Sequence, residues 1–177
     1  MQNVLQPAQE KAYGCIHVRA GEEDEVARKI DTLFPEVETH AIMQIKHKSR
    51  NSRRSYSYSN MLPGYILFNA DGEFPVSKIL SISSVVRILN YDDHQWSLRG
   101  EDLFYAKWIF ENNGLIGISV VYTEGDEIRI IDGPLKAVEG KIVRIDKRNR
   151  NALITLGCER NNIKVWLAFE WLKKTNG

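Results

Sequence analysis

The sequence predicts an α+β protein, an N-terminal α/β sandwich followed by a small β-barrel. Three observations lead there. Before residue 115, three segments with apolar residues at helical spacing alternate with strand-like segments. From Glu124 onward the apolar runs are short, bounded by Gly, Pro, Asn or Asp, and no helical period separates them. Four or five strands packed into residues 124–174 would leave exposed edges as an open sheet, so a closed or half-closed barrel is expected.

The elements follow in order. "YGCIHVRA" reads as a strand with Tyr13, Cys15 and His17 on one face and Ile16 and Val18 on the other. "GEEDEVARKIDTLFP" reads as a helix carrying Val26, Ala27, Ile30, Leu33 and Phe34 on its apolar side. Acids fill its first turn, Arg28 and Lys29 lie nearer its end, and Pro35 stops it, in keeping with the helix dipole. "VETHAIMQIKHK" reads as a strand, "SRNSRRSYSYSN" as a loop or hairpin arm, and "LPGYILFNADG" as a strand ending in a turn. In "PVSKILSI" Pro75 suits the first helical position and Val76, Ile79 and Leu80 share a face. "VVRILN" is the next strand. "GEDLFYAKWIFENNG" is the last helix, with Leu103, Ala106, Ile109 and Phe110 near one face and Asn112, Asn113 and Gly114 as its stop. This places one domain over residues 10–115, a linker over 116–123 and a second domain over 124–174. The second has strands "DEIRII", "GKIVRID", "NALITL" and "IKVWLAFEW", whose Ile128, Ile130, Ile142, Ile145, Leu153, Leu156, Val165 and Leu167 supply a core of their own.

Composition narrows the function. A chain of 177 residues with 43% hydrophobic and 27% charged residues is ordinary for a globular protein. No apolar run approaches the roughly 20 residues of a membrane span, and the first residues lack a signal-peptide layout, so a cytoplasmic protein away from membranes is expected. Cys15 and Cys158 lie far apart without ligand spacing, which argues for neither zinc nor a disulfide. His17, His40, His47 and His94 show no metal-ligand spacing, and neither a phosphate loop nor a nucleophile elbow occurs. The carboxylates of "EEDE" at 22–25 complement a helix dipole. A monomeric binding protein is expected, not an enzyme, with no catalytic residue, no metal and no cofactor.

"YGCIHVRAGEEDEVARKI", "MLPGYILF", "VVRIL" and "EGDEIRIIDGPLKAVEGKIVRID" together resemble the NusG family of transcription elongation factors across almost the whole chain. The most specific run carries Gly125, Gly133 and Gly140 where that family's C-terminal KOW motif has its turns and close strand contacts. The resemblance implies an N-terminal NGN domain followed by a KOW domain with an SH3-like barrel. It also implies binding to RNA polymerase through an apolar NGN patch that grips the clamp helices of the largest subunit. By position Leu62, Pro63, Gly64 and Tyr65 match the family's "FPGY", with Leu replacing a ring, and Tyr13 matches the aromatic residue of the first strand. In this setting "KHKSRNSRRSYSYSN", with Arg50, Arg53 and Arg54 among Tyr56 and Tyr58, reads as a flexible basic arm for non-template DNA or a polymerase surface. A solvated loop fits the same composition.

Net charge points to the C-terminal end. Residues 1–115 carry 13 basic against 15 acidic side chains, a balance of −2, whereas 116–177 carry 11 against 8, or +3. Lys141, Arg144, Lys147, Arg148 and Arg150 crowd "KIVRIDKRNRN", with Lys136 before them and Arg160 and Lys164 beyond. Strict alternation separates Ile142 from Ile145, which implies a bulge and leaves the face of Arg144 open. Arg148-Asn149-Arg150-Asn151 forms a turn suited to probing an opened RNA groove, Arg for phosphates and Asn for base edges. A solvated hairpin is the plainer alternative. Within the family the pattern resembles the LoaP antitermination subgroup, which implies a nascent leader RNA hairpin as partner. Two other readings stay open, a housekeeping elongation factor whose KOW domain binds proteins and a DNA-reading recruit that refolds its C-terminal domain; a third, an rRNA-binding translation or ribosome-assembly protein, is disfavoured. The β pattern after Glu124 counts against the second, and the complete NGN segment against the third.

Overall fold

Alternating and helical apolar patterns resolve into twelve strands and three α-helices among the described residues. The computed structural model describes residues 11–50, 53–72, 74–91, 95–124, 127–158 and 161–172; side chains at 49–50, 53–54, 157–158 and 161–162 lie outside that description. The order is β1 (Ala12–Val18), α1 (Glu23–Leu33), β2 (Val37–Ala41), β3 (Met43–Arg50), β4 (Arg53–Asn60), β5 (Tyr65–Ala70), α2 (Val76–Leu80) and β6 (Val85–Ile88). There follow α3 (Gly100–Glu111), β7 (Leu115–Ile116), β8 (Ser119–Glu124), β9 (Glu127–Asp132), a 3-10 helix (Pro134–Lys141), β10 (Ile142–Asp146), β11 (Asn151–Cys158) and β12 (Asn161–Trp171). No helix among the described residues is long and apolar enough to cross a membrane.

Contacts divide the chain into two units, one running to Ala41 and including Pro63–Leu98, the other comprising Ile42–Leu62 and Arg99 onward. The first unit is an antiparallel sheet in the order β2-β5-β1-β6. Alternation on β1 and β5 turns Ile16, Val18, Ile66, Phe68 and Ala70 to one face, where they form a buried core with Val26, Ala27 and Ile30 of α1. Burying each of the large aliphatic side chains contributes about 1.5–3 kcal/mol. Leu33, expected in that core, is 55% exposed; Phe34, just past the helix, packs against the core instead. Pro75 stands at the N-cap of α2, one position before the first helical site.

The second unit contains the sheet β4-β3-β7 and the five-stranded sheet β10-β11-β12-β8-β9. The strand expected over "VETHAIMQIKHK" breaks at Ile42, which is buried and whose carbonyl accepts the Met61 N–H at 2.6 Å. Beyond the break β3 pairs with β4 from Met43↔Asn60 to Arg50↔Arg53, so "SRNSRRSYSYSN" is a hairpin arm, of which residues 51 and 52 lie outside the described residues. The expected linker 116–123 contributes Ile116 to β7 and forms most of β8, a strand inside the larger sheet with Val121 buried. In α3 the buried side chains are Tyr105, Ala106, Trp108 and Ile109, not the expected Leu103 and Phe110. Its two amphipathic rings are drawn inward because their polar tips find carbonyls: the Tyr105 hydroxyl donates to Thr155 O at 3.0 Å and Trp108 Nε1 to Pro134 O at 3.1 Å. Sheet order places β9 and β10 at the two edges, and the 3-10 helix between them buries Leu135 and Val138. Leu156, Val165 and Leu167 are buried as expected, joined by Ala152, Ile154 and Phe169, whereas Ile128, Ile130, Ile142, Ile145 and Leu153 are half-buried.

Of the glycines expected to shape the "DGP…EG" run, Gly133 is required. Its φ is +92°, and a Cβ there would lie 2.6 Å from Ser119 Cα. The same close approach lets buried Ser119 Oγ accept the Leu135 N–H at 2.9 Å. Gly140 is not required in this way: a Cβ meets nothing within 4 Å. Gly125 lies outside the described residues.

Candidate nucleic-acid interface

Four residues, 147–150, link Asp146 to Asn151, which are directly paired at the end of β10 and β11. Asp146 closes this loop from within: its Oδ1 accepts the Asn149 backbone N–H at 2.9 Å and its Oδ2 the Asn149 side-chain amide at 2.8 Å. Those two bonds, led by the backbone one, hold the Asp146 carboxyl below its usual range, with Arg144 adding a smaller electrostatic pull. Asn151 donates its side-chain amide to Asn149 O at 3.0 Å. Both asparagines, expected to meet base edges, thus spend amide donors on building the turn. Arg150 takes φ +55°, the left-handed region, which costs a non-glycine residue about 1–2 kcal/mol. Lys147, Arg148 and Asn149 are exposed and Arg150 is half-buried.

The expected bulge lies in β10, where register shifts between Ile142 and Arg144. Its effect is to release the alternation: Val143 is 58% exposed, Ile145 pairs with buried Ala152, and Arg144 pairs with Leu153 on the outer face. Leu153 in turn pairs with Trp166, and Lys164 pairs with Thr155 two residues along on that face. Sequence reasoning passed over Trp166, although strict alternation in "KVWL" turns it outward between buried Val165 and Leu167. Two other expected members stand apart. Lys136 in the 3-10 helix donates to Ile131 O at 3.1 Å, and Lys141 at its end is hydrogen-bonded to Glu101 of α3, which raises the Lys141 pKa. Arg160 lies outside the described residues.

In the first unit the Pro63–Tyr65 part of "LPGY" depends on a buried carboxylate. Glu23, in the first turn of α1, accepts the Gly64 N–H at 2.6 Å and the Gly21 N–H at 2.9 Å. Gly64 meets it with φ +86°, a conformation that glycine adopts freely. Tyr65, half-buried, stacks on His17 with ring centroids 5.1 Å apart, while Pro63 is exposed. Tyr13 pairs with Asn69, four positions along β1 from the His17–Tyr65 pair and so about 13 Å away. Tyr13 is therefore at the other end of the strand from Tyr65. Leu62, in the second unit, is half-buried and donates its N–H to Asn60 Oδ1 at 3.0 Å; Ile66 belongs to the core.

The β3–β4 arm is ordered by pairing and does not have the loose form that its composition suggested. Tyr56 and Tyr58 are 55% and 68% exposed, and alternation places them on the face of His47 and Ile45, opposite the exposed Lys46 and Lys48. The Tyr56 hydroxyl donates to Glu170, and His47 Nε2 lies 2.9 Å from Phe169 O, so the arm is fastened to β12. Side chains of Arg50, Arg53 and Arg54 lie outside the described residues.

Residues 11–103, more than half of the chain, match the family model described as "Transcription termination factor nusG". No curated protein is similar enough to the chain to match. Among solved structures, the chain is similar to "Domain interaction in Thermotoga maritima NusG" at 15% identity and TM-score 0.49, over 92% of this chain and 96% of that one. It is also similar to "Crystal Structure of MjSpt4:Spt5 complex conformation B" at 14% identity and TM-score 0.31, over 88% of this chain and 91% of the other.

Proposed function

Because the chain belongs to the family of the transcription termination factor NusG, we propose that it is a specialised elongation factor, a processive antiterminator of the LoaP type. On this reading residues 10–115 act as the NGN domain and hold RNA polymerase at the clamp helices of its largest subunit through Leu62, Pro63, Gly64 and Tyr65. The five-stranded sheet acts as an SH3-like KOW barrel that captures a hairpin in the nascent leader RNA. The factor works in the cytoplasm as a binding protein without catalysis of its own.

The observation that carries this reading is Arg150 at the loop between β10 and β11. An arginine occupies a left-handed position that glycine or asparagine would take at less cost, in a loop braced by Asp146 and Asn149 and flanked by exposed Lys147 and Arg148. A braced loop loses little entropy on binding, and its guanidiniums suit phosphates bidentately. Asn149 and Asn151 then position the arginines, which do the probing. Tethering a modest RNA contact to a modest polymerase contact raises effective concentration, which confers operon selectivity without either contact being tight.

Exposed Val143 beside this loop favours a second reading, a housekeeping factor whose barrel binds a protein. A gel shift of the purified chain against leader RNAs, with matched DNA alongside, separates the two. Selective retardation of one RNA supports antitermination; no retardation of any RNA supports the protein-binding role.

A further inference from the structure

Trp166 is a large aromatic side chain left 38% exposed within a strand whose neighbours Val165 and Leu167 fill the core. Register sets Arg144, Leu153 and Trp166 side by side across β10, β11 and β12, and exposed Lys164 follows on the same face. Trp166 is two residue rows from the Asn151 end of the sheet, about 7 Å along the strands. A ring with Lys164 about 7 Å along its own strand and Arg144 two strands away, about 10 Å across the sheet, close to a loop carrying Arg148 and Arg150, offers a stacking surface with cations nearby for the phosphates. Paired RNA keeps its base faces covered by stacking, so only an unpaired base can use such a surface.

We infer that Trp166 is a stacking platform for an unpaired base of the RNA. This rests on the RNA reading above and extends it: the ligand is a hairpin with a bulged or looped-out nucleotide next to the stem that the β10–β11 loop grips. Arg144 and Lys164 neutralise the backbone beside that nucleotide, and Leu153 supplies the apolar floor under the edge of the ring.

The test uses the full chain and two RNA probes, a fully paired stem closed by a stable tetraloop and the same stem interrupted by a short adenosine bulge with one adenosine replaced by 2-aminopurine. The unmutated protein should bind the bulged stem at least ~5-fold more tightly and quench the 2-aminopurine fluorescence. Trp166→Ala should abolish both the preference and the quenching while leaving affinity for the paired stem unchanged. Trp166→Phe, the milder change, should keep part of both, and Lys164→Ala should weaken the bulged stem more than the paired one while keeping the quenching. Full preference and quenching in Trp166→Ala overturn the inference. Equal, measurable binding of both stems by the unmutated protein overturns it while leaving the RNA reading intact, whereas no binding of either stem overturns that reading as well. A Trp166→Ala protein with unaltered RNA binding that loses a protein cross-link at this face assigns the face to protein and overturns the inference too.

Discussion

Asn149 is bonded to Asp146 twice, through its backbone N–H to Oδ1 at 2.9 Å and through its side-chain amide to Oδ2 at 2.8 Å. These bonds exist for the ionised carboxyl, and they depress its folded-state pKa below the usual 3.8. A depressed pKa contributes stability that is present above 3.8 and is lost as pH falls through the lower folded value. The Asn149 amide resonance should therefore stay in its bonded position at pH 5 to 7 (about one unit or more above 3.8) and move toward a solvated value only below 3.8. Asp146→Ala should show the solvated position at every pH. An Asn149 resonance that titrates above the usual carboxylate value contradicts the assignment.

Gly133, which caps the 3-10 helix, and Gly140 within it should respond in opposite ways. Gly133→Ala forces a Cβ to 2.6 Å from Ser119 Cα at φ +92° and should cost about 2 kcal/mol or more, read as a lower urea midpoint. Gly140→Ala meets nothing within 4 Å and should be neutral or stabilise by about 0.4–1 kcal/mol through the unfolded chain. Equal losses for both would contradict the geometry.

Glu23 supports the proposed polymerase contact from beneath. Glu23→Leu leaves the Gly64 and Gly21 N–H groups without their acceptor and should destabilise the fold by about 1–3 kcal/mol. Leu62→Asp with Tyr65→Ala should leave the protein folded and abolish co-purification with RNA polymerase. Retention of polymerase by the folded double variant would show that the contact lies elsewhere.

How much of this was legible in the sequence depends on the kind of signal. Strand alternation set Ile16 and Val18 together on one face of β1, which is the core face, and the one-residue excess between Ile142 and Ile145 revealed the bulge, because both signals are local in the sequence. Long-range partners had no local signature. Nothing in "EEDE" distinguishes Glu23, which reaches Gly64 across 41 positions, from half-buried Glu22 or exposed Asp24 and Glu25. Tyr105 and Trp108 turned inward because carbonyls on the second half of the chain accept their donors, which overrode the purely apolar face expected for α3. The asparagines looked like base readers because their role as turn builders depends on Asp146 being folded back toward them.

The central claim, that the β10–β11 loop recognises structured RNA, is tested most directly by a salt-series titration of a leader hairpin and a scrambled hairpin. The unmutated protein should prefer the leader hairpin, with log affinity falling steeply against log salt as several phosphates are neutralised. Arg148→Ala or Arg150→Ala should each cost about 1–3 kcal/mol on the leader hairpin and erode the preference, while Lys147→Ala should weaken both RNAs alike and lower the salt slope by about one. Equal and weak binding of the two hairpins by the unmutated protein would contradict the account.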